Sequence, residues 1–232
     1  MEPEIMVTSV VDALVEDLRH KVLSGELAPG TPLTELEVAT RYDVARASAR
    51  AAIDRLTGEK VLVRANYRTA RVIALGPEDV RDIYRTRARL ESSVLRELAR
   101  TRHVPEEARE ANAQLTALWA ERSPGRVAPD MRFHTSLVDA AGSERTSAVY
   151  RSLAFETRLC MARLQVNPQL DPDANIAEHA RILDLIAAGD ADGAAAMLEE
   201  HLARARELLA ASLGGEAGPE ANRPSSALPP AS

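Results

Sequence analysis

The sequence predicts a mainly α-helical chain in two units: three helices closed by a small β-hairpin, then an antiparallel bundle of six helices. Apolar residues recur at three- and four-residue steps along most of the chain. Two short β-rich segments stand together between residues 61 and 75, and Gly, Pro, Asn and Asp break the helical stretches at short intervals. At 232 residues and 45% hydrophobic content, the chain can fill two small cores.

In the stretch TSVVDALVEDLRHKVLS (8–24), Val11, Leu14, Val15, Leu18 and Val22 share one helical face, with Thr8 or Ser9 as the cap. The segment ends at Ser24-Gly25, and GELAPGTPL is a turn-rich connection. Thr34 caps a short helix ELEVATR, with Glu37 completing a capping box. A turn at Tyr42-Asp43 leads to a third helix from Ala45 to about Lys60, and VLVR and TARVIA form the hairpin around Asn66. Three helices and a hairpin make a winged helix-turn-helix over residues 8–75. Pro77 suits the first turn of the next helix. Six helical patterns then fill 77–213 as one all-helical domain. The stretch 214–232 has Leu228 as its single large apolar side chain and reads as a disordered tail.

The formal net charge is −6, which does not suit a chain that coats phosphates along its whole length. The charge is unevenly spread: residues 41–71 carry eight basic side chains (Arg41, Arg46, Arg50, Arg55, Lys60, Arg64, Arg68, Arg71) against three acids (Asp43, Asp54, Glu59). A lone cysteine, Cys160, excludes an internal disulfide framework and fits a reducing compartment. No apolar run is long enough to span a membrane and the N-terminus is acidic, so the expected location is the cytoplasm.

The motifs LSGELAPGTPL, TELEVA and VARASARAAIDRL, followed in order by DIYRTRARLE, DMRFHTSLVDAAG, EHARILDLIAAGD and AAAMLEEHL, resemble the GntR family of bacterial transcription regulators. More closely, the chain is similar to the FadR group, whose C-terminal half is the FCD ligand-binding domain. The resemblance runs from Val10 to Leu209. It implies a homodimer that binds a palindromic operator in double-stranded DNA, expected to be a repressor, and that responds to a small molecule. A two-fold protein presents two recognition helices to two half-sites.

The third helix is then the reading helix. Arg46 and Arg50 lie four apart on one face, where a guanidinium can pair with a guanine edge or hold a phosphate. Both match arginines of the family pattern, as does Arg68 in the wing, and Ser48 stands between the two on the helix. The usual pattern Ser-Arg-Thr-Pro-x-Arg-Glu-Ala-Leu is here Ala45-Arg46-Ala47-Ser48-Ala49-Arg50-Ala51-Ala52-Ile53. Two hydroxyls, a proline and an acid are replaced, and a lost cap or polar contact is worth about 1 kcal/mol. Thr69 replaces the usual wing glycine, and Thr tolerates positive φ poorly.

In the second domain Asp130 and His134 are four apart on one helix, while His179 and His201 fall on two later helices of the same bundle. One carboxylate and three imidazoles can hold Zn²⁺, or Ni²⁺ or Mn²⁺, with positions left open. The same four positions are the ligands of the metal-binding FCD subgroup. His20 and His103 read as surface residues. The resemblance further implies an effector arginine at Arg87, with Arg158 as a second candidate. An arginine beside a metal suits a small carboxylate. The alternative reading is a metal-dependent enzyme on a regulator scaffold whose reading helix has eroded, motivated by Ala45, Ala47, Ser48 and Ala51.

Overall fold

The computed structural model describes residues 9–65, 68–121, 125–164 and 172–215. The chain divides into two compact units, Met1–Leu75 and Gly76–Ser232. Of the segment 214–232, Gly214 and Gly215 are described and the rest lies outside the described residues.

In the first unit, α1 (Val10–Leu23) buries Leu14, Val15, Leu18 and Val22, and the Ser9 hydroxyl accepts the Asp12 N–H at its start. Next, α2 (Glu35–Tyr42) opens with the expected capping box: Thr34 Oγ1 accepts from the Glu37 N–H at 3.1 Å while the Glu37 carboxylate accepts from the Thr34 N–H at 3.0 Å. Asp43, at φ 50°, turns the chain out of α2 toward the next helix, a conformation Asp tolerates better than most residues. The following helix, α3 (Arg46–Gly58), packs Ala49, Ala52, Ile53 and Leu56 against α1 and α2. It ends two residues before the expected Lys60, which itself adopts φ 59°.

The segment expected as a plain connection contributes a strand. Here β1 (Pro32–Leu33) pairs antiparallel with β3 (Ala70–Val72), which also pairs with β2 (Leu62–Val63), so the sheet order is β1-β3-β2. Two residues with no alternation to show, one of them proline, leave no period to detect. Leu33, Leu62, Ala70 and Val72 turn inward and close the core beneath the helices.

Among the described residues the second unit has six helices: α4 (Pro77–Thr101), α5 (Glu106–Ala120), α6 (Val127–Asp139), α7 (Glu144–Leu164), α8 (Pro172–Ala188) and α9 (Ala191–Ser212). Pro77 occupies the first turn of α4, and the Asp79 carboxylate accepts the Gly76 N–H at 2.8 Å. Packing is heaviest between α4 and α9, with α6, α7 and α8 also against α4. The inward stripe of α4 runs Val80, Ile83, Tyr84, Arg87, Glu91, Val94, Leu95 and Leu98. Two charged residues therefore occupy core positions in mid-helix. No helix among the described residues is long and apolar enough to cross a membrane.

The residue before α3, Ala45, stands at the cap position and supplies no side-chain cap. Restoring a hydroxyl with Ala45→Ser is expected to stabilise the first unit by about 0.5–2 kcal/mol, and Thr34→Ala at the capped start of α2 to destabilise it by a similar amount. Urea unfolding midpoints of the two variants should move in opposite directions from that of the parent chain.

Candidate functional site

Arg46 and Arg50 project from the exposed face of α3, with side chains 71% and 68% exposed. Neither is unengaged. Glu35, at the start of α2, accepts from Arg46 Nε at 3.1 Å, and its other oxygen lies 3.9 Å from Arg50 Nε. Asp54 stands 3.7 Å from Arg50 and accepts from Arg64 at 2.9 Å. Arg55 turns to α1, donating to Asp12 at 2.6 Å and to Glu59 at 3.1 Å. Arg41 donates to Glu26. Acids at 12, 26 and 35 thus fold back onto a cluster that looked strongly positive when only residues 41–71 were counted. Ser48 is half-buried, and Arg68 is exposed at the wing, whose residues 66 and 67 lie outside the described residues. Among the described residues positive φ at non-glycine positions occurs at Asp43, Lys60 and Arg102. Thr69 is not strained, and the concern raised by its missing glycine does not apply.

In the second unit, the structure draws His134 on α6, His179 on α8 and His201 on α9 together: one ring nitrogen from each lies within 4.8 Å of the other two. All three are buried. Asp130, one turn before His134, reaches the same place, with Oδ1 3.8 Å from His179 Nε2 and accepting from Asn175 Nδ2 at 3.0 Å. Phe133 stacks on His179 at 3.8 Å between centroids, with planes 7° apart, which fixes the ring orientation. Neither nitrogen of His179 has a hydrogen-bond partner although both are buried. A buried polar atom without a partner costs about 1–3 kcal/mol, so this ring is shaped for something else.

Two glutamates not foreseen in the sequence orient the other rings. Glu91 Oε2 lies 2.6 Å from His134 Nδ1, and Glu178 Oε2 lies 2.8 Å from His201 Nδ1. Each carboxylate can only accept, so Nδ1 carries the proton and each Nε2 is left with its lone pair toward the cluster. This carboxylate–histidine arrangement is the usual support of a metal-binding imidazole. The signal was available for Glu91, which falls in the core phase of α4, because a buried charge there demands a partner. It was weaker for Glu178, which precedes His179 in sequence yet serves His201 on another helix.

Arg87 is almost fully buried on α4, donates to Glu91 Oε1 through Nε at 2.9 Å, and lies over the Tyr84 ring at 4.9 Å. Tyr150 donates to the same Glu91 oxygen at 3.0 Å. One guanidinium nitrogen, Nη2, remains buried and unpartnered. Arg85 and Arg89 are exposed, as their phase requires. Arg158 is exposed on α7 and is not part of this buried group, whereas its neighbours Thr157 and Leu159 turn inward. His20 and His103 are exposed.

Burial pushes His179 well below the ordinary histidine range, reinforced by the neighbouring His201, His134 and Arg87. Burial also lowers His134, against the pull of Glu91. For Glu91, burial alone would raise its pKa, but the charge of Arg87 and the contact with His134 hold it down at about 2. His134 and His179 are therefore neutral and the Glu91 carboxylate ionised at neutral pH, the protonation states that metal coordination requires.

Comparison with known proteins bears on both units. The model of the bacterial regulatory proteins of the gntR family matches residues 11–72, and that of the FCD domain matches residues 82–204. A probable D-xylose utilization operon transcriptional repressor of Paenarthrobacter nicotinovorans is 26% identical over 210 residues, covering 90% of this chain and 92% of its own length. The solved structure of a GntR transcriptional regulator from Rhodococcus sp. RHA1 superposes with TM-score 0.73 at 23% identity, over 87% of this chain and 98% of that one. The E. coli protein McbR/YncC gives TM-score 0.70 at 19% identity over 88% and 98%. These two likenesses establish the fold.

For chelator-treated protein, stability is expected to fall as pH drops below about 6.5, because the unfolded chain gains protons at His134 and His179 that the folded chain resists. A second loss follows below about 4.5, where the unfolded glutamate protonates while Glu91 in the folded state stays ionised. Thermal unfolding from about pH 8 down to pH 5 should show the first slope, and His179→Asn should flatten it.

Proposed function

The chain belongs to the GntR family of bacterial regulatory proteins, with an FCD domain as its second unit, and from that premise we infer a metal-containing, carboxylate-responsive repressor. On this reading it acts in the cytoplasm as a homodimer on a palindromic operator. The family binds DNA and regulates transcription, so the enzyme alternative raised by the sequence falls. The repressor assignment draws on the relative that carries that name.

The observation that carries the proposal is the buried cluster of His134, His179 and His201, two of whose rings are held by carboxylates while the third has no partner. Asp130, His134, His179 and His201 would hold the cation, Zn²⁺ foremost, with Ni²⁺ or Mn²⁺ as alternatives. Such an ion supplies a Lewis-acidic centre that accepts a carboxylate oxygen. The chain's own groups do the rest. Glu91 and Glu178 keep the rings in the right tautomer, Phe133 keeps His179 from rotating, and Nη2 of Arg87 is the unpaired donor to which a second anionic oxygen would bind. With Arg158 exposed, Arg87 is the effector residue of choice. Regulation is then a coupling free energy: whatever factor the effector imposes on the dimer's DNA affinity, DNA imposes on its affinity for the effector.

On the DNA side, Arg46, Ser48, Arg50 and Arg68 face the duplex, with the N-terminal end of α3 toward the bases. A duplex from the regulator's own upstream region should shift with the purified protein at low salt in an electrophoretic assay, and Arg46→Ala combined with Arg50→Ala should abolish the shift. Equal retardation by the two proteins would refute the assignment of the reading helix.

Elemental analysis of the purified protein should find close to one transition metal per chain, lost in a His134→Ala, His179→Ala variant. In a thermal-shift screen of malonate and succinate, an effector at about 100 times its Kd should add about 2.7 kcal/mol of apparent stability. Arg87→Lys keeps the charge beside Glu91 yet should lose the ligand shift while retaining the metal.

A further inference from the structure

The exposed face of α3 is unusual in what it lacks. Arg46, Ala47, Arg50, Ala51 and Asp54 run along one face of the helix, each within three or four residues of another, and all are exposed. Asp54 is engaged by Arg64 and lies close to Arg50, and Ser48 is half-buried. Apart from the two arginines, this face presents the methyl groups of Ala47 and Ala51, which stand four apart and beside Arg46 and Arg50. In the major groove an arginine matches the two acceptors of guanine, and a small apolar side chain matches the C5 methyl group by which thymine is marked. Side chains this short also let the helix backbone approach the base edges closely.

We propose that Ala47 and Ala51 form a methyl-reading strip that selects thymines next to the guanines taken by Arg46 and Arg50. The inference rests on the DNA-binding reading above and goes beyond it, because it names which bases a helix poor in hydrogen-bonding groups can still distinguish. Removal of each contacted methyl should weaken binding by about fourfold, the worth of one buried methylene-sized group.

The test uses the full-length protein to enrich duplexes from a randomised pool. The best duplex is then resynthesised with uracil in place of thymine, a change that deletes the methyl group and nothing else in the groove. Binding about fourfold weaker per contacted thymine is expected, with the difference erased in an Ala47→Ser, Ala51→Ser variant that keeps the helix and its arginines. Equal affinity for the thymine and uracil duplexes overturns the methyl-reading strip while leaving DNA binding intact. Discrimination that survives in the double variant also overturns it, since the methyl would then be read elsewhere. Enrichment of no duplex at all removes the DNA-binding reading, and this inference with it.

Discussion

The interior of the second unit is organised by a carboxylate that never meets water. Glu91 is fully buried, and its two oxygens serve Arg87, Tyr150 and His134, residues of three different helices. A buried charge is tolerable only when paired and hydrogen-bonded, and removing one partner of such a pair typically costs about 3–5 kcal/mol. That constraint determines where α4, α6 and α7 can lie relative to one another at this level of the bundle. The apolar stripes above and below it could slide by a rotamer, but a carboxylate with three committed partners could not. The candidate metal centre inherits its precision from this arrangement, because the ring of His134 is oriented by the same carboxylate that neutralises Arg87.

A second carboxylate repeats the device on the other side. Glu178 orients His201 and also accepts from Arg204. Each of the two glutamates therefore joins an arginine to a histidine that lies on a helix other than its own, the arginine lying one turn away on the same helix for Glu91 and on α9 for Glu178. The third ring is treated differently: His179 is clamped by the stacked Phe133 and left without hydrogen bonds. Two rings held by charge and one by stacking give three fixed lone-pair directions, with the Asp130 carboxylate alongside. Burial keeps His134 and His179 neutral, and in the proposed metal-binding role the cost of leaving His179 unsatisfied in the folded chain would be offset on binding a cation.

Helices were legible because their apolar residues repeat at 3.6-residue spacing, and their starts, with caps at Ser9 and Thr34 and Pro77 in a first turn, are written in local chemistry. The strand at Pro32–Leu33 was not, since its identity comes from partners nearly forty residues away. Asp130 and the three histidines were legible from their motif positions, but what holds them was less so. Glu91 could be found only by noticing an acid in the core phase of α4, and Asn175, which steadies Asp130, sits on an ordinary turn of α8 with nothing local to mark it. On the DNA-reading side, a count over 41–71 overstated the free positive charge, because three of the acids that answer it lie upstream in sequence and adjacent in space. Charge is additive along a chain only until the chain folds.

In the proposed DNA-binding role of Arg46 and Arg50, the bridge from Glu35 to both bears on how the protein would travel along a duplex. Contact with a duplex is an exchange, in which a phosphate or guanine must outcompete a carboxylate already in place. The freed carboxylate then stands beside a polyanion, which repels it. Such an internal competitor subtracts from every encounter alike, but a correct site offsets it with base contacts and a random site does not. In that role the consequence would be kinetic: loose association with arbitrary sequence, short dwell times, and a faster search for an operator than the number of arginines alone would suggest.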